Sequence, residues 1–281
     1  TAWIVLGVCV MATFIGWSVS RSQLLDQEFD RFQTQIGQIT NEVSQRVMAY
    51  EQALVAARAF LTANHPPERQ AWRSFVEQLD IEHSYPGIDG IGFIANVPTK
   101  DLPAFLDATR QDGAPEFVVR PEGQRSNYFP IQFIEPREQN LTLLGYDIGS
   151  DPVRRTSAQE SCDTGQATLT PRKNRAPDPI GNSAVLFLLP IYKPGFPVNT
   201  VSARRAALLG WVFEPFRIND VMAGVIDSDH AAVDFEIFDN EVPLVTNSRD
   251  NQERSDRSTN YKSVFQKDEM LKIGGRDWTI H

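Results

Sequence analysis

Apolar residues dominate the first nineteen positions of the chain. Trp3 and Trp17 lie near the ends of this run, and no charged residue occurs before Arg21. About twenty apolar residues in a helix are enough to cross a bilayer, and tryptophan favours the membrane interfaces. The pattern predicts a transmembrane helix over residues 1–20. A cleaved signal peptide and a buried core helix are the alternatives.

A second apolar pattern covers residues 21–64. Here the apolar residues recur at steps of three and four, which is the spacing of one helix face, and no proline occurs before Pro66. They are Leu25, Phe29, Phe32, Ile36, Ile39, Val43, Val47, Tyr50, Leu54, Ala57 and Leu61. The spacing predicts one long stalk helix. We expect homodimer contacts through its first part and packing on its own globular domain beyond Tyr50.

The rest of the chain alternates short helical patterns with short strand patterns. Helices are predicted at 68–82, 98–113 and 151–164, and a further one from Glu214-Pro215 to about Ile226. Strands are predicted at 90–97, 116–119, 128–134, 166–170, 184–192, 206–213, 233–238, 242–246, 261–266, 270–273 and 278–280. This order is typical of an α+β fold built from antiparallel sheets, here two tandem PAS-like units. The expected boundaries are residues 65–205 for the first unit and 206–281 for the second.

Candidate binding chemistry concentrates between Tyr128 and Lys193. Asp147 lies in the glycine-punctuated turn 145–150, beside predicted apolar strands. A carboxylate there can accept a hydrogen bond from a small polar ligand while the strands supply apolar walls. Capping of backbone amides is the alternative role for this aspartate. Strand alternation places Phe133 and Phe187 in the same pocket, with ordinary core packing as the alternative.

Composition and residue spacing argue against several classes of function. The net charge is −9, whereas a nucleic-acid partner needs clustered cations. The four histidines are scattered, and Cys9 and Cys162 lie in dissimilar settings, so neither a metal site, a cofactor nor a disulfide is predicted. No catalytic arrangement has suitable spacing. We therefore expect this segment to be non-catalytic. Because the chain begins at Thr1 rather than at a methionine, we also expect it to be part of a longer protein.

Several short motifs occur in an order that resembles the CHASE family of extracytoplasmic sensor domains. They are Tyr85–Phe93, Phe129-Pro130, Tyr146-Asp147, Asp151–Arg155, Thr164-Gly165 and Leu189–Tyr192. Members of this family occur in bacterial histidine kinases and cyclases and in plant cytokinin receptors.

The resemblance implies a small-molecule ligand and a set of binding residues. Asp147 matches the aspartate that bonds the adenine ring of cytokinin, and Leu169 matches a residue whose main chain contacts the ligand. Tyr192 and Gly210 are expected on the pocket wall. Residues 206–281 are expected to correspond to a membrane-proximal unit. Separately, the polar, proline-bearing residues 171–183 predict a long solvated loop, with a lid as the alternative.

These observations predict a periplasmic sensor anchored in the inner membrane. Ligand binding would be transmitted through a dimeric stalk to a cytoplasmic histidine kinase, or alternatively to a diguanylate cyclase. A ligand-free protein-interaction domain is the competing hypothesis.

Overall fold

A computed structural model describes residues 2–64, 68–172, 180, 184–219, 221–222, 234–246 and 265–281. Helix α1 runs without a break from Ala2 to Ala63, which confirms one long helix at the start of the chain. Within the described ranges, no helix is both long and apolar enough to cross a membrane. A span needs about twenty sufficiently apolar residues as well as helical geometry. The predicted membrane span over residues 1–20 is therefore not supported, although the segment is helical.

The second half of α1 packs against its own chain. Its stripe is buried from Ile36 onward, and Phe29 and Phe32 lie with their ring centroids 5.4 and 5.7 Å from that of Phe265. The expected intrachain packing beyond Tyr50 is thus confirmed, but the buried stripe begins earlier, at Ile36. The strand Glu269–Ile273 contacts α1, and Phe265, just before this strand, lies against the apolar stripe at Phe29. This contact is about twenty positions before Tyr50, where intrachain packing was expected to begin.

In the part of the chain that the structure describes, α1 is followed by five shorter helices with defined bounds and by eleven strands. The helices are α2 (Arg69–Leu79), α3 (Ile81–Ser84), α4 (Leu102–Gln111), α5 (Pro152–Thr164) and α6 (Val201–Ala207). The strands are β1 (Ile91–Ala95), β2 (Val97–Pro98), β3 (Asn127–Tyr128), β4 (Ile131–Glu135), β5 (Thr168–Leu169), β6 (Ala184–Tyr192), β7 (Leu208–Arg217), β8 (Glu236–Asp239), β9 (Val242–Thr246), β10 (Glu269–Ile273) and β11 (Arg276–Ile280).

The strands form two main antiparallel sheets, which confirms the α+β class. One has five strands in the order β4-β1-β7-β6-β5, and the other has four in the order β10-β11-β8-β9. Strand β7 begins beyond residue 205 but lies between β1 and β6. The proposed boundary at 205/206 therefore divides the five-stranded sheet. The grouping into two PAS-like units stays a prediction.

The five-stranded sheet has an apolar core on each face. The α1-facing core includes Val43, Tyr50, Phe133, Phe187 and Val212, and it continues into the second sheet. The α5-facing core includes Ile131, Ala158, Cys162, Leu188 and Trp211. Alternate residues of β6 and β7 supply the two faces, as the pleat requires, whereas a register shift in β4 places Ile131 and Phe133 on opposite faces. A site on this sheet consequently lies either against α1 or against α5.

Three local predictions differ from the structure. The helix predicted from Glu214-Pro215 begins later, because β7 continues to Arg217 and pairs Pro215 with Leu186 of β6; residues 218–219 and 221–222 are helical. Residues 116–119 form turn and coil rather than a strand, and the connector at 194–205 contains α6. The predictions for Pro66-Pro67, most of 171–183, 223–233 and 247–264 lie outside the described residues.

Candidate functional site

Asp147 is fully buried, and it caps backbone amides. Its Oδ1 accepts hydrogen bonds from the N–H of Phe129 at 2.7 Å and of Gly149 at 2.9 Å. The second bond begins the short 3-10 turn Ile148–Ser150. The aspartate thus holds its own turn closed and fixes the main chain of the segment that leads into β4. This is the capping role that the sequence allowed as the alternative to ligand contact.

The second carboxylate oxygen of Asp147 has a different environment. The Nε of Arg125 lies 3.4 Å from Oδ2, and no described residue donates a hydrogen bond to this oxygen. Arg125 belongs to the segment before β3, and its side chain is partly exposed. The guanidinium offsets part of the cost of burying the carboxylate. A ligand N–H could therefore reach Oδ2 only by taking the place of Arg125.

The ring of Phe129 is fixed by its neighbours, as is its main chain. The Arg155 guanidinium lies 4.5 Å above the ring, and its Nη2 donates to the carbonyl oxygen of Asn127 at 2.9 Å. The centroid of the Phe129 ring also lies 4.7 Å from that of Trp211. Asp147 and Arg155 together fix one aromatic wall on the α5 side of the sheet.

A cavity of about 320 Å³ opens beside this wall. It lies among the end of β1, β3, α5, and the junction of α6 with β7. Its lining comprises Asn96, Asn127, Phe129, Gln159, Cys162, Asp163, Arg205, Leu208 and Trp211. Two aromatic rings, three amides and one ion pair therefore surround one space, so the lining combines apolar surface with several groups that can form hydrogen bonds.

Two of the three amides of the cavity, Asn96 and Asn127, are hydrogen-bonded to each other. Asn127 donates through Nδ2 to Oδ1 of Asn96 at 3.0 Å, and Asn96 donates through its own Nδ2 to the carbonyl oxygen of Leu208 at 3.4 Å. Among the described residues, none donates to Oδ1 of Asn127. The pair thus offers a ligand an acceptor whose position is already fixed by a neighbouring amide.

The charged and thiol groups of the cavity are constrained by their neighbours. Arg205 binds both carboxylate oxygens of Asp163, at 2.7 and 2.5 Å, and these hydrogen bonds lower the pKa of Asp163. Burial raises the pKa of the Cys162 thiol to about 11, so the thiol is neutral at physiological pH. Within the described ranges, no three His, Cys, Asp or Glu side chains are placed to hold a metal ion.

The structure does not bring the six residues predicted from the sequence into one pocket. Phe133, Phe187 and Leu169 belong to the α1-facing core, on the opposite side of the sheet from the cavity. The ring of Phe133 lies 4.9 Å below the Arg69 guanidinium, and the main-chain N–H of Leu169 donates to Gly274 at 2.9 Å. These three positions support the α1 side and the junction with the second sheet.

Tyr192, Gly210 and Asp147 lie near the cavity without lining it. The hydroxyl of Tyr192 donates to the carbonyl oxygen of Cys162 at 2.7 Å and so ties β6 to α5. A Cβ at Gly210 would collide with the carbonyl oxygen of Ile94, so glycine permits the close approach of β7 to β1. Ligand contact by any of the six stays a prediction.

Sequence reasoning missed the lining residues Asn96, Asn127 and Trp211. A signal for one of them was present, because Asn96 interrupts the apolar run between β1 and β2. An amide at such a position needs a polar partner when buried. The sequence predicts Trp211 only as part of the apolar strand 206–213. The side of the sheet on which its ring lies depends on the register of β7, which the sequence does not give.

The chain has an α+β fold with a cavity between α5 and its five-stranded sheet. Residues 67–253 match the family model described as "CHASE domain", and the chain belongs to the CHASE domain family. The predicted resemblance is thus confirmed.

Two comparisons add context. The chain is similar to "Hybrid signal transduction histidine kinase A" of Dictyostelium discoideum, with 29% identity over 182 residues. That match covers 57% of this chain but 8% of the relative's length. The fold resembles a solved "Extracellular ligand binding receptor" from Desulfohalobium retbaense DSM5692, with a TM-score of 0.51 and 12% identity. It covers 89% of this chain and 39% of that receptor, and at this identity the likeness concerns the fold alone.

Proposed function

We propose that this chain is the extracytoplasmic sensory region of a receptor histidine kinase, and that a small planar polar molecule binds in the cavity between α5 and the five-stranded sheet. The observation that carries the proposal is the cavity itself, because it combines two aromatic rings with a connected amide pair in a CHASE domain. The histidine kinase relative supports the output class.

The chemistry of the lining favours an uncharged heteroaromatic ligand. Phe129 and Trp211 supply aromatic lining for apolar contact, and the side-chain carbonyl of Asn127 can accept from a ring or exocyclic N–H. Arg205 is already paired with Asp163, so it is less available to a carboxylate ligand. A cavity of about 320 Å³ fits a molecule of purine size. Cytokinin-like or adenine-like compounds belong to this class.

Asp147 contributes to this site through Phe129. By accepting the Phe129 N–H, the carboxylate keeps the aromatic wall in place. A direct bond from the ligand to Oδ2 is a further part of the proposal, and it requires Arg125 to move away. Tyr192 supports the site from β6 through its hydrogen bond to α5, while Gly210 keeps the sheet close-packed behind Trp211.

The position of α1 suggests how occupancy is transmitted. The cavity and α1 contact opposite faces of the same sheet, so a shift of β7 reaches both. A ligand that binds one arrangement of α1 better than another shifts the population between them. We propose that two copies pair through the exposed first part of α1, which includes Leu24 and Leu25. The helix would then carry the change to the kinase.

A thermal-shift screen tests the proposal. Purines, cytokinins, amino acids and carboxylates are added to the chain, and a ligand that binds only the folded state raises the melting temperature. Leu208→Trp, which fills the cavity, should abolish the shift, whereas Leu141→Trp at an exposed position should retain it. If no class stabilises the wild type, or if both variants retain the shift, the cavity is not the sensor site.

A further inference from the structure

Glu214 is a buried carboxyl that the proposed ligand site does not use. It lies on β7 opposite Phe187 of β6, and its side chain is fully buried. Among the described residues, neither of its carboxyl oxygens has a hydrogen-bond partner. Unpaired buried carboxylates are costly, so such a group normally binds a proton or finds a counterion.

The carboxyl lies in the layer between the sheet and α1. Val212, two residues earlier on the same strand, and Phe187 opposite it both belong to the α1-facing core. Since side chains alternate along a strand, Glu214 points to the same side. The group therefore lies where α1 docks, on the opposite side of the sheet from the cavity.

No described titratable group around this layer forms an ion pair or hydrogen bond with the carboxyl. From α1 the neighbours are Arg46, which donates to the carbonyl oxygen of Val221, and Tyr50, whose hydroxyl donates to Pro86. Burial raises the Tyr50 pKa to about 12, with Arg46 opposing this rise and Glu214 adding to it. Tyr85 packs on Tyr50 with ring centroids 6.3 Å apart.

The strands beside β7 add no counterion from their described residues. Before β1, Asp89 is paired with Arg217 at the end of β7. Strand β6 carries no charged residue. Burial alone raises the pKa of Glu214 well above its ordinary value of 4.5.

We propose that Glu214 is a proton-linked latch for α1. The neutral carboxyl lets the helix pack on the sheet, and ionisation loosens that packing because an unpaired charge would remain in the apolar layer. The domain then responds to pH on the side of the sheet that contacts the stalk helix. This inference does not depend on the identity or existence of a cavity ligand.

The sign of the pH effect follows from the direction of the shift. The folded state keeps the Glu214 proton above pH 4.5, where the unfolded chain has lost it. The stabilising contribution is complete below the unfolded-state pKa and is lost as pH rises through the folded-state pKa. Between these two values, the unfolding equilibrium constant should rise by up to about tenfold per pH unit.

Urea unfolding of the chain between pH 5 and 9 tests the latch. Glu214→Gln removes the titrating proton at almost constant shape, and Glu116→Gln makes the same change at an exposed site. The ratio of unfolding constants between wild type and Glu214→Gln should rise by up to tenfold per unit, and the ratio for Glu116→Gln should stay flat. Parallel pH profiles for wild type and Glu214→Gln would overturn the proposal.

Amide hydrogen exchange shows which helix loosens as the pH rises. It also tests the latch if Glu214→Gln is too unstable for urea unfolding. Exchange in residues 43–57 of α1 should accelerate with pH more in the wild type than in Glu214→Leu, after correction for the intrinsic rate. The excess should be absent from α5, which packs on the other face of the sheet. A uniform excess over both helices, or no excess in either, contradicts a latch at α1.

Discussion

Replacing Asp147 by alanine is the most informative single perturbation of the turn beside the site. The change removes the acceptor of the Phe129 and Gly149 amides, which are bonded at 2.7 and 2.9 Å. A buried N–H left without a partner costs about 1–3 kcal/mol, so two cost about 2–6 kcal/mol. Arg125 also loses its carboxylate neighbour. Because domains are stable by only about 5–15 kcal/mol, the loss is large.

Urea unfolding followed by circular dichroism measures this cost. We expect Asp147→Ala to lower the midpoint by the equivalent of about 2–6 kcal/mol with an unchanged slope. Asp147→Asn keeps an oxygen acceptor and should retain part of that stability. Asp101→Ala, at an exposed position, is the matched control and should change stability by less than about 0.5 kcal/mol. A loss below about 1 kcal/mol for Asp147→Ala would show that the two amides do not depend on the carboxylate.

Two further changes probe the two faces of the sheet. In a Cys9→Ser background, Cys162 should react slowly with a thiol reagent at pH 8, because burial raises its pKa to about 11. A ligand in the cavity should slow the reaction further, and a rate equal to that of exposed Cys9 in a Cys162→Ser chain would contradict the geometry. Phe187→Ala should cost about 3–5 kcal/mol in urea unfolding, since the ring is fully buried in the α1-facing core. The ligand affinity of the folded protein should not change. A loss of affinity without further loss of stability would show that Phe187 contributes to ligand binding.

Local sequence signals predicted the elements that depend on local physics. The stripe from Ile36 to Leu61 is the buried face of α1, because its periodicity is that of the helix itself. Asp151 caps α5 by accepting from the N–H groups of Val153 and Arg154, and Gly165 ends that helix in the left-handed conformation. Such caps act within four residues, so they can be read from sequence.

The pocket assignment depended on long-range register, which sequence does not contain. Alternation along β4 and β6 separates two faces but does not say which one lies against α1. Phe133 and Phe187 were therefore assigned to the pocket, whereas the structure places them behind it. Likewise, Glu214-Pro215 resembles a helix start, but pairing with β6 extends the strand instead.

Calorimetric titration of the strongest stabilising compound with Asn127→Ala tests the central claim most directly. Asn127 lines the cavity, and Asn41→Ala makes the same substitution on the exposed face of α1. The ligand cavity account predicts an affinity at least about tenfold weaker for Asn127→Ala, equivalent to about 1.4 kcal/mol, and an unchanged affinity for Asn41→Ala. Equal affinities for the wild type and both variants would show that the ligand binds elsewhere.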